Sequence, residues 1–129
     1  MTNGTRRIGT ILVATHFIVV AIHAKAHVEL EVSAAGLDAV FILLAIYVAP
    51  LVACGLWWTG RDRPAVAVFT SCMGASFVYG LVEHFGFDSP DNVANLPPGT
   101  WALPFRATAV LLAVVDLVGT VLGVRWWRH

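Results

Sequence analysis

Apolar residues fall into four long runs along this chain, broken by short polar stretches, at about 8–28, 36–58, 64–85 and 104–127. Each run is close to the ~20 residues a helix needs to cross the hydrocarbon core of a bilayer. The third and fourth open on Pro64 and Pro104, and proline is tolerated in a first helical turn, where its missing N–H would have no partner anyway. The first two connections are short, so consecutive helices must be antiparallel neighbours. The pattern predicts an all-α, four-helix transmembrane bundle, with residues 1–129 forming a single domain and no internal repeat. Pro50, inside the second run, predicts a bend. Gly119 and Gly123 form a G-x-x-x-G, a close-packing face either within the bundle or between copies. A homo-oligomer or a larger membrane complex is expected through that face.

The connection at about 86–103 is the long one. Pro90, Pro97 and Pro98, with several Asp, Asn and Ser residues, make it turn-rich, and Asp91-Asn92 can start one short turn. A loop of this length in a compact bundle is usually functional or disordered. Phe87, Val93, Leu96 and Trp101 are placed to pin it down, so it is expected to form an ordered outer cap.

Composition sharpens this picture. Of the 129 residues, 58% are hydrophobic and 12% charged, whereas a soluble domain carries roughly 25% charge. The chain therefore reads as an integral membrane protein whose partner is the lipid bilayer. Its 8 basic and 8 acidic residues cancel, which gives no support to nucleic-acid binding. Cys54 and Cys72 lie in apolar runs without C-x-x-C spacing, which excludes a redox dithiol of that type. Arg6 and Arg7 precede a run too long for a cleavable leader, so the first run is expected to be retained as a span.

The placement of charge suggests an orientation. Arg6, Arg7, Arg61, Arg63, Arg125 and Arg128 all map to one side of an even-numbered bundle. Glu29, Glu31, Asp38, Glu83, Asp88 and Asp91 map to the other, against Lys25 and Arg106. By the positive-inside rule, both termini are expected to be cytoplasmic, in the cell (inner) membrane. Trp57-Trp58 and Trp126-Trp127, beside the basic loops, are expected to form an interfacial aromatic belt. Arg106 is expected to pair with Glu83, Asp88 or Asp91.

Chemistry concentrates in the first run. Positions i, i+7 and i+11 fall within about 20° of one line along a helix, so His16, His23 and His27 form a stripe. Lys25 points to the opposite side, with Glu29 one turn further on. Polar groups in a membrane helix are costly and face a protein interior or a wet cavity. His23 and His27, at i and i+4, lie near the outer end of the first span. The third span runs outward and brings Glu83 and His84 to the same depth. Imidazoles from two helices with a nearby carboxylate suit zinc, copper, iron or nickel. His23, His27, His84 and Glu83 are thus candidate ligands, with Asp88 or Asp91 as a fourth ligand or as support behind them. Proton handling by the same groups, or a simple polar patch at the interface, is an alternative.

His16 lies deeper, at the height of Asp116 in the inward-running fourth span. A lone Asp there needs a partner, and His16 is the obvious one, with Thr120 and Tyr47 also in range. In the third span, Met73, Phe77, Gly80 and His84 lie along one row; Cys72, Ser76, Tyr79 and Glu83 lie along another, about 100° away. Met73 falls near the height of His16, which makes a His/Met-ligated haem conceivable, as is a bis-histidine haem using His84 and a stripe histidine.

Three functions are compatible with these residues. The first is a metal-binding membrane protein with copper or zinc at its outer end, either a small metalloenzyme or a metal-holding subunit. The second is a haem-binding redox carrier. The third is a structural or lipid-binding subunit without chemistry of its own. No nucleophile–base pair or glycine-rich phosphate loop is present. The orientation predicts that an Asn95→Cys protein reacts with an impermeant thiol reagent only from the non-cytoplasmic side; labelling only from the cytoplasmic side overturns it.

Overall fold

The computed structural model describes residues 1–32 and 36–128, and they are helical apart from their connections. Four helices are long and apolar enough to cross a membrane: α1 (Asn3–Glu29), α2 (Leu37–Trp58), α3 (Asp62–Gly86) and α4 (Ala102–Trp127). The first begins earlier than the apolar run. Thr2 caps it, its Oγ1 accepting from the Thr5 N–H at 3.2 Å. Outward-facing side chains such as Ile11, Ile18, Leu43, Leu51 and Leu117 leave the bundle with an apolar girth.

Two helices depart from α geometry. Ile42–Val48 of α2 is π-helical, and the cause stands just after it. Pro50 has no N–H to give the carbonyl of Ile46, four residues back, and its ring crowds that carbonyl. The bend expected at Pro50 thus coincides with a π segment that ends two residues before it. The last turn of α3, Val82–Gly86, is also π-helical and carries His84.

The helices do not pack evenly. α4 lies against both α3 and α1, and the Ala49–Trp58 half of α2 lies against α3 and α1. The Leu37–Val48 half of α2 leans on α3 instead, with Phe41 on Tyr79 at a ring separation of 4.8 Å, and meets α1 at its inner end, where Ile46 and Tyr47 lie by His16 and Phe17.

One end of the bundle gathers both termini and the α2–α3 connection. Asp62 ties it together: its carboxylate accepts from the Met1 amino group at 3.0 Å and from Arg6 at 3.0 and 3.1 Å. A core of Val13, Ala53, Trp57, Phe69 and Met73 fills this half. Trp57 is wholly buried, while Trp58 and Trp127 are 61% and 59% exposed. Of the four tryptophans expected to form a belt, Trp58 and Trp127 face outward, while Trp57 turns into the core against Phe69 and Trp126.

Close approach needs glycine at three places. A Cβ on Gly9 would lie 2.5 Å from the Trp57 ring, one on Gly119 2.7 Å from Met73 Cε, and one on Gly123 2.2 Å from Thr70 Oγ1. The Gly119/Gly123 face is therefore filled from within the chain, by α3. Of the two uses the sequence left open for it, packing inside the bundle is the one seen.

At the other end, the α3–α4 loop folds back as a cap. The Val93 N–H donates to the His84 carbonyl at 3.0 Å, and Leu96 is buried with Ala26, Val32 and Phe105. Val93 and Trp101 pack against the same cluster. Phe87 does not pin the loop, being 62% exposed. Arg106 Nε donates to the Val93 carbonyl at 2.9 Å, in place of the carboxylate pairing expected for it.

Steric crowding at Gly123 gives a test of the helix contact. Gly123→Ala should destabilise the protein by about 1–3 kcal/mol through overpacking. Gly55→Ala, whose Cβ meets nothing within 4 Å, should be neutral or stabilising by up to ~1 kcal/mol. Unfolding in mixed micelles measures both, and equal effects would argue against the close α3–α4 packing.

Candidate metal centre

Two polar tiers lie inside the apolar bundle, both built on the histidine stripe of α1. In the deeper tier His16 Nδ1 is 2.7 Å from Asp116 Oδ1, and its Nε2 donates to the Ile46 carbonyl at 3.2 Å. Ser76 Oγ donates to Asp116 Oδ2 at 2.6 Å. His16 and Asp116 are both almost fully buried, and the pair carries no net charge whichever partner holds the shared proton. Thr120 bonds the Asp116 backbone carbonyl and not its carboxylate, and Tyr47 packs near Phe17. Ser76, rather than either of them, completes the network.

The upper tier joins His23, His27 and His84. One ligand atom from each lies within 4.8 Å of the other two. His23 Nε2 is 3.1 Å from His84 Nε2 and 3.2 Å from His27 Nε2. The three rings stand around Phe105, at centroid distances of 4.6, 4.7 and 5.2 Å. Phe105 is fully buried and gives the cluster a rigid apolar base.

What the opposite ring nitrogens do decides the chemistry. His27 Nδ1 lies 2.7 Å from the Val32 carbonyl, and His84 Nδ1 lies 3.1 Å from the Asp91 carbonyl. Carbonyls only accept, so both Nδ1 atoms must carry the proton. His23 Nδ1 lies 2.8 Å from Thr108 Oγ1, whose own proton goes to the Pro104 or Phe105 carbonyl at 2.7 or 3.0 Å. The Thr108 hydroxyl can therefore only accept from His23. In the neutral tautomers all three Nε2 atoms present bare lone pairs to one another. Lone pairs facing at 3.1–3.2 Å repel unless a positive centre sits among them.

Backbone structure places these anchors. α1 ends with Glu31 at φ 56°, the Val32 N–H bonding the His27 carbonyl and the Glu31 N–H bonding the Val28 carbonyl. This is a Schellman ending, and it turns the Val32 carbonyl back onto the His27 ring. The π turn at the end of α3 and the loop bond from Val93 do the same for His84 and Asp91.

All three imidazoles line one cavity of about 210 Å³, which continues down to Ser76 and Asp116. Asp91 also lines it, with Oδ1 3.6 Å from His27 Nδ1. Glu83 does not join the cluster, in which the convergent atoms are histidine nitrogens. Asp88 is exposed and engaged with Asn95 at 2.5 Å. Lys25, on the opposite side of α1, pairs with Glu29 and lies over Trp101.

The haem arrangements fit poorly. Both ring nitrogens of His16 are engaged, and Met73 is packed against Gly119. His23 and His84 stand closer than the roughly 4 Å of two opposed metal–nitrogen bonds. Sequence reasoning could reach the histidines but not Thr108, Ser76 or the three anchoring carbonyls. Only Thr108 carried a local cue, its position four residues after a helix-opening proline. No family profile, curated protein or solved structure matches the chain.

The deep tier predicts a graded mutational response. Asp116→Ala strips the acceptor from two buried donors and should cost about 3–5 kcal/mol. Ser76→Ala removes one neutral partner and should cost about 1 kcal/mol. Denaturation in micelles reads both, and equal costs would show that Asp116 is not the hub.

Proposed function

We propose that this is an integral membrane protein that binds one transition-metal ion, copper or zinc, through Nε2 of His23, His27 and His84. The ion lies at the end of the bundle away from both termini, the non-cytoplasmic end by the arginine distribution. The observation that carries this reading is the set of three committed Nδ1 protons, which leaves three lone pairs converging without a donor between them. A cation resolves their repulsion, and imidazole nitrogen is the donor that copper and zinc prefer alongside thiolate.

The distances suit an ion. With metal–nitrogen bonds of about 2.0–2.1 Å, the separations of 3.1 and 3.2 Å that His23 makes with His84 and His27 correspond to angles of about 100° at the metal, near the tetrahedral value. Each ligand's far nitrogen donates to a carbonyl or hydroxyl, the support that fixes tautomer and ring orientation at such centres. Three protein ligands leave a tetrahedral ion one position short. Structural sites are closed by four, whereas reactive sites keep a position for water or substrate. The reading is therefore of a small metalloenzyme more than of a metal-holding subunit.

A shared proton is the competing positive centre, and metal content separates the two. Purified wild-type protein should hold about one equivalent of copper or zinc. His27→Ala and His84→Ala should lose it, and Lys25→Ala should keep it. Thr108→Val, which removes the acceptor behind His23, should weaken affinity about 10- to 100-fold. Affinity should also fall on acidification, because protons compete for the same lone pairs. No uptake by the wild type at micromolar metal, or unchanged content in both histidine variants, overturns the site.

A further inference from the structure

The cavity beneath the three histidines has a polar roof and a polar floor that differ in kind, and the difference specifies what it can hold. The floor is formed by Ser76 and Asp116, and there both carboxylate oxygens already have partners, one from His16 behind it and one from Ser76. A ligand arriving at that carboxylate finds no oxygen that needs it. At the roof, three Nε2 lone pairs converge, and Asp91 lines the same end with its carboxylate 3.6 Å from His27 Nδ1. Between roof and floor the walls are mostly apolar, with Val20, Ala24, Ile42, Leu112 and Ala113, and Tyr47 and Tyr79 add their rings. The space exists because small side chains line α1 and α4 where α2 leans away onto α3.

We infer that this cavity is the binding site of an amphipathic ligand: an uncharged hydrocarbon chain of medium length carrying one metal-binding oxygen head. The inference rests on the metal reading above. The head takes the open position on the ion, and the chain runs down toward Ser76 and Asp116. On α4, Ala109 and Asp116 both line the cavity, and the seven residues from one to the other span about 10 Å of helix, the reach of roughly eight extended carbons. The outer part of α2, up to Ile42, leans on α3 rather than on α1 and gives such a chain a way in from the side. A fully polar ligand of the same size would have to leave water for apolar walls without compensation. A hydrocarbon without a head would forgo the one site that needs a partner.

Cobalt-loaded protein in nanodiscs tests this, since cobalt(II) in a low-symmetry site has visible bands that respond to a new ligand. The probes are acetohydroxamate and octanohydroxamate, which share a head and differ in chain. The wild type should bind the long probe at least about tenfold more tightly, because the added methylenes are buried. Ala113→Leu, which fills the cavity away from the histidines, should reduce that advantage to about threefold or less while leaving cobalt uptake and acetohydroxamate binding unchanged. Ala107→Leu, on an exposed position of α4, should behave as the wild type.

Equal affinity for the two probes in the wild type overturns the chain site while leaving the metal site standing. An advantage that survives in Ala113→Leu also overturns it, by placing the chain in the surrounding lipid. Absence of cobalt bands in the wild type overturns the metal reading, and this inference with it.

Discussion

The contact between His16 and Asp116 sets the rotation of α1 about its own axis. A buried imidazole and carboxylate 2.7 Å apart tolerate no other facing, since turning either toward hydrocarbon would strand a polar group where nothing can solvate it. His23 and His27 follow on the same stripe, seven and eleven residues later. Once His16 faces α4, they must face the interior as well. The upper tier therefore inherits its direction from the lower one. The lower tier is completed from α2, where the Ile46 carbonyl accepts from His16 Nε2.

Much of this was legible from residue spacing. The four helices, the ordered loop, the histidine stripe, the depth match with His84 and the His16–Asp116 pairing all follow from periodicity and from the cost of polar groups in apolar runs. Less visible were features in which the backbone departs from ideal winding. Ser76 and His84 stand eight residues apart, about 80° round a regular helix, and both line one cavity together with Phe77 and Gly80. The last turn of α3 is π-helical and winds less per residue, which a row drawn at regular spacing does not show. Glu83 stays out of a cluster whose convergent atoms are all histidine nitrogens, although its depth alone seemed to favour it.

Backbone acceptors were invisible for a different reason. The carbonyls of Val32 and Asp91 are available because of a Schellman ending and a loop fold-back, neither of which reflects the identity of the accepting residue. Asp62 is a further case, a charge between two arginines that clasps the first residues of the chain to α3. Tryptophan pairs mislead in the opposite direction, because Trp57 is needed as core filling beside Gly9.

The two tiers show how one stripe of histidines can serve opposite ends. In the lower tier every donor meets an acceptor, so the group is closed and contributes order. In the upper tier every donor is used behind the rings, so the acceptors in front are left over and the group is open. Holding three lone pairs together is unfavourable, and the contacts that hold them do not involve an ion: Phe105 against the ring faces, one hydroxyl and two carbonyls behind, and a helix ending strained through Glu31 at φ 56°. A group assembled by such contacts is organised without a ligand. An ion bound there, as proposed, would forgo most of the ordering cost that a flexible trio of histidines carries, and relief of the lone-pair repulsion would add to its affinity.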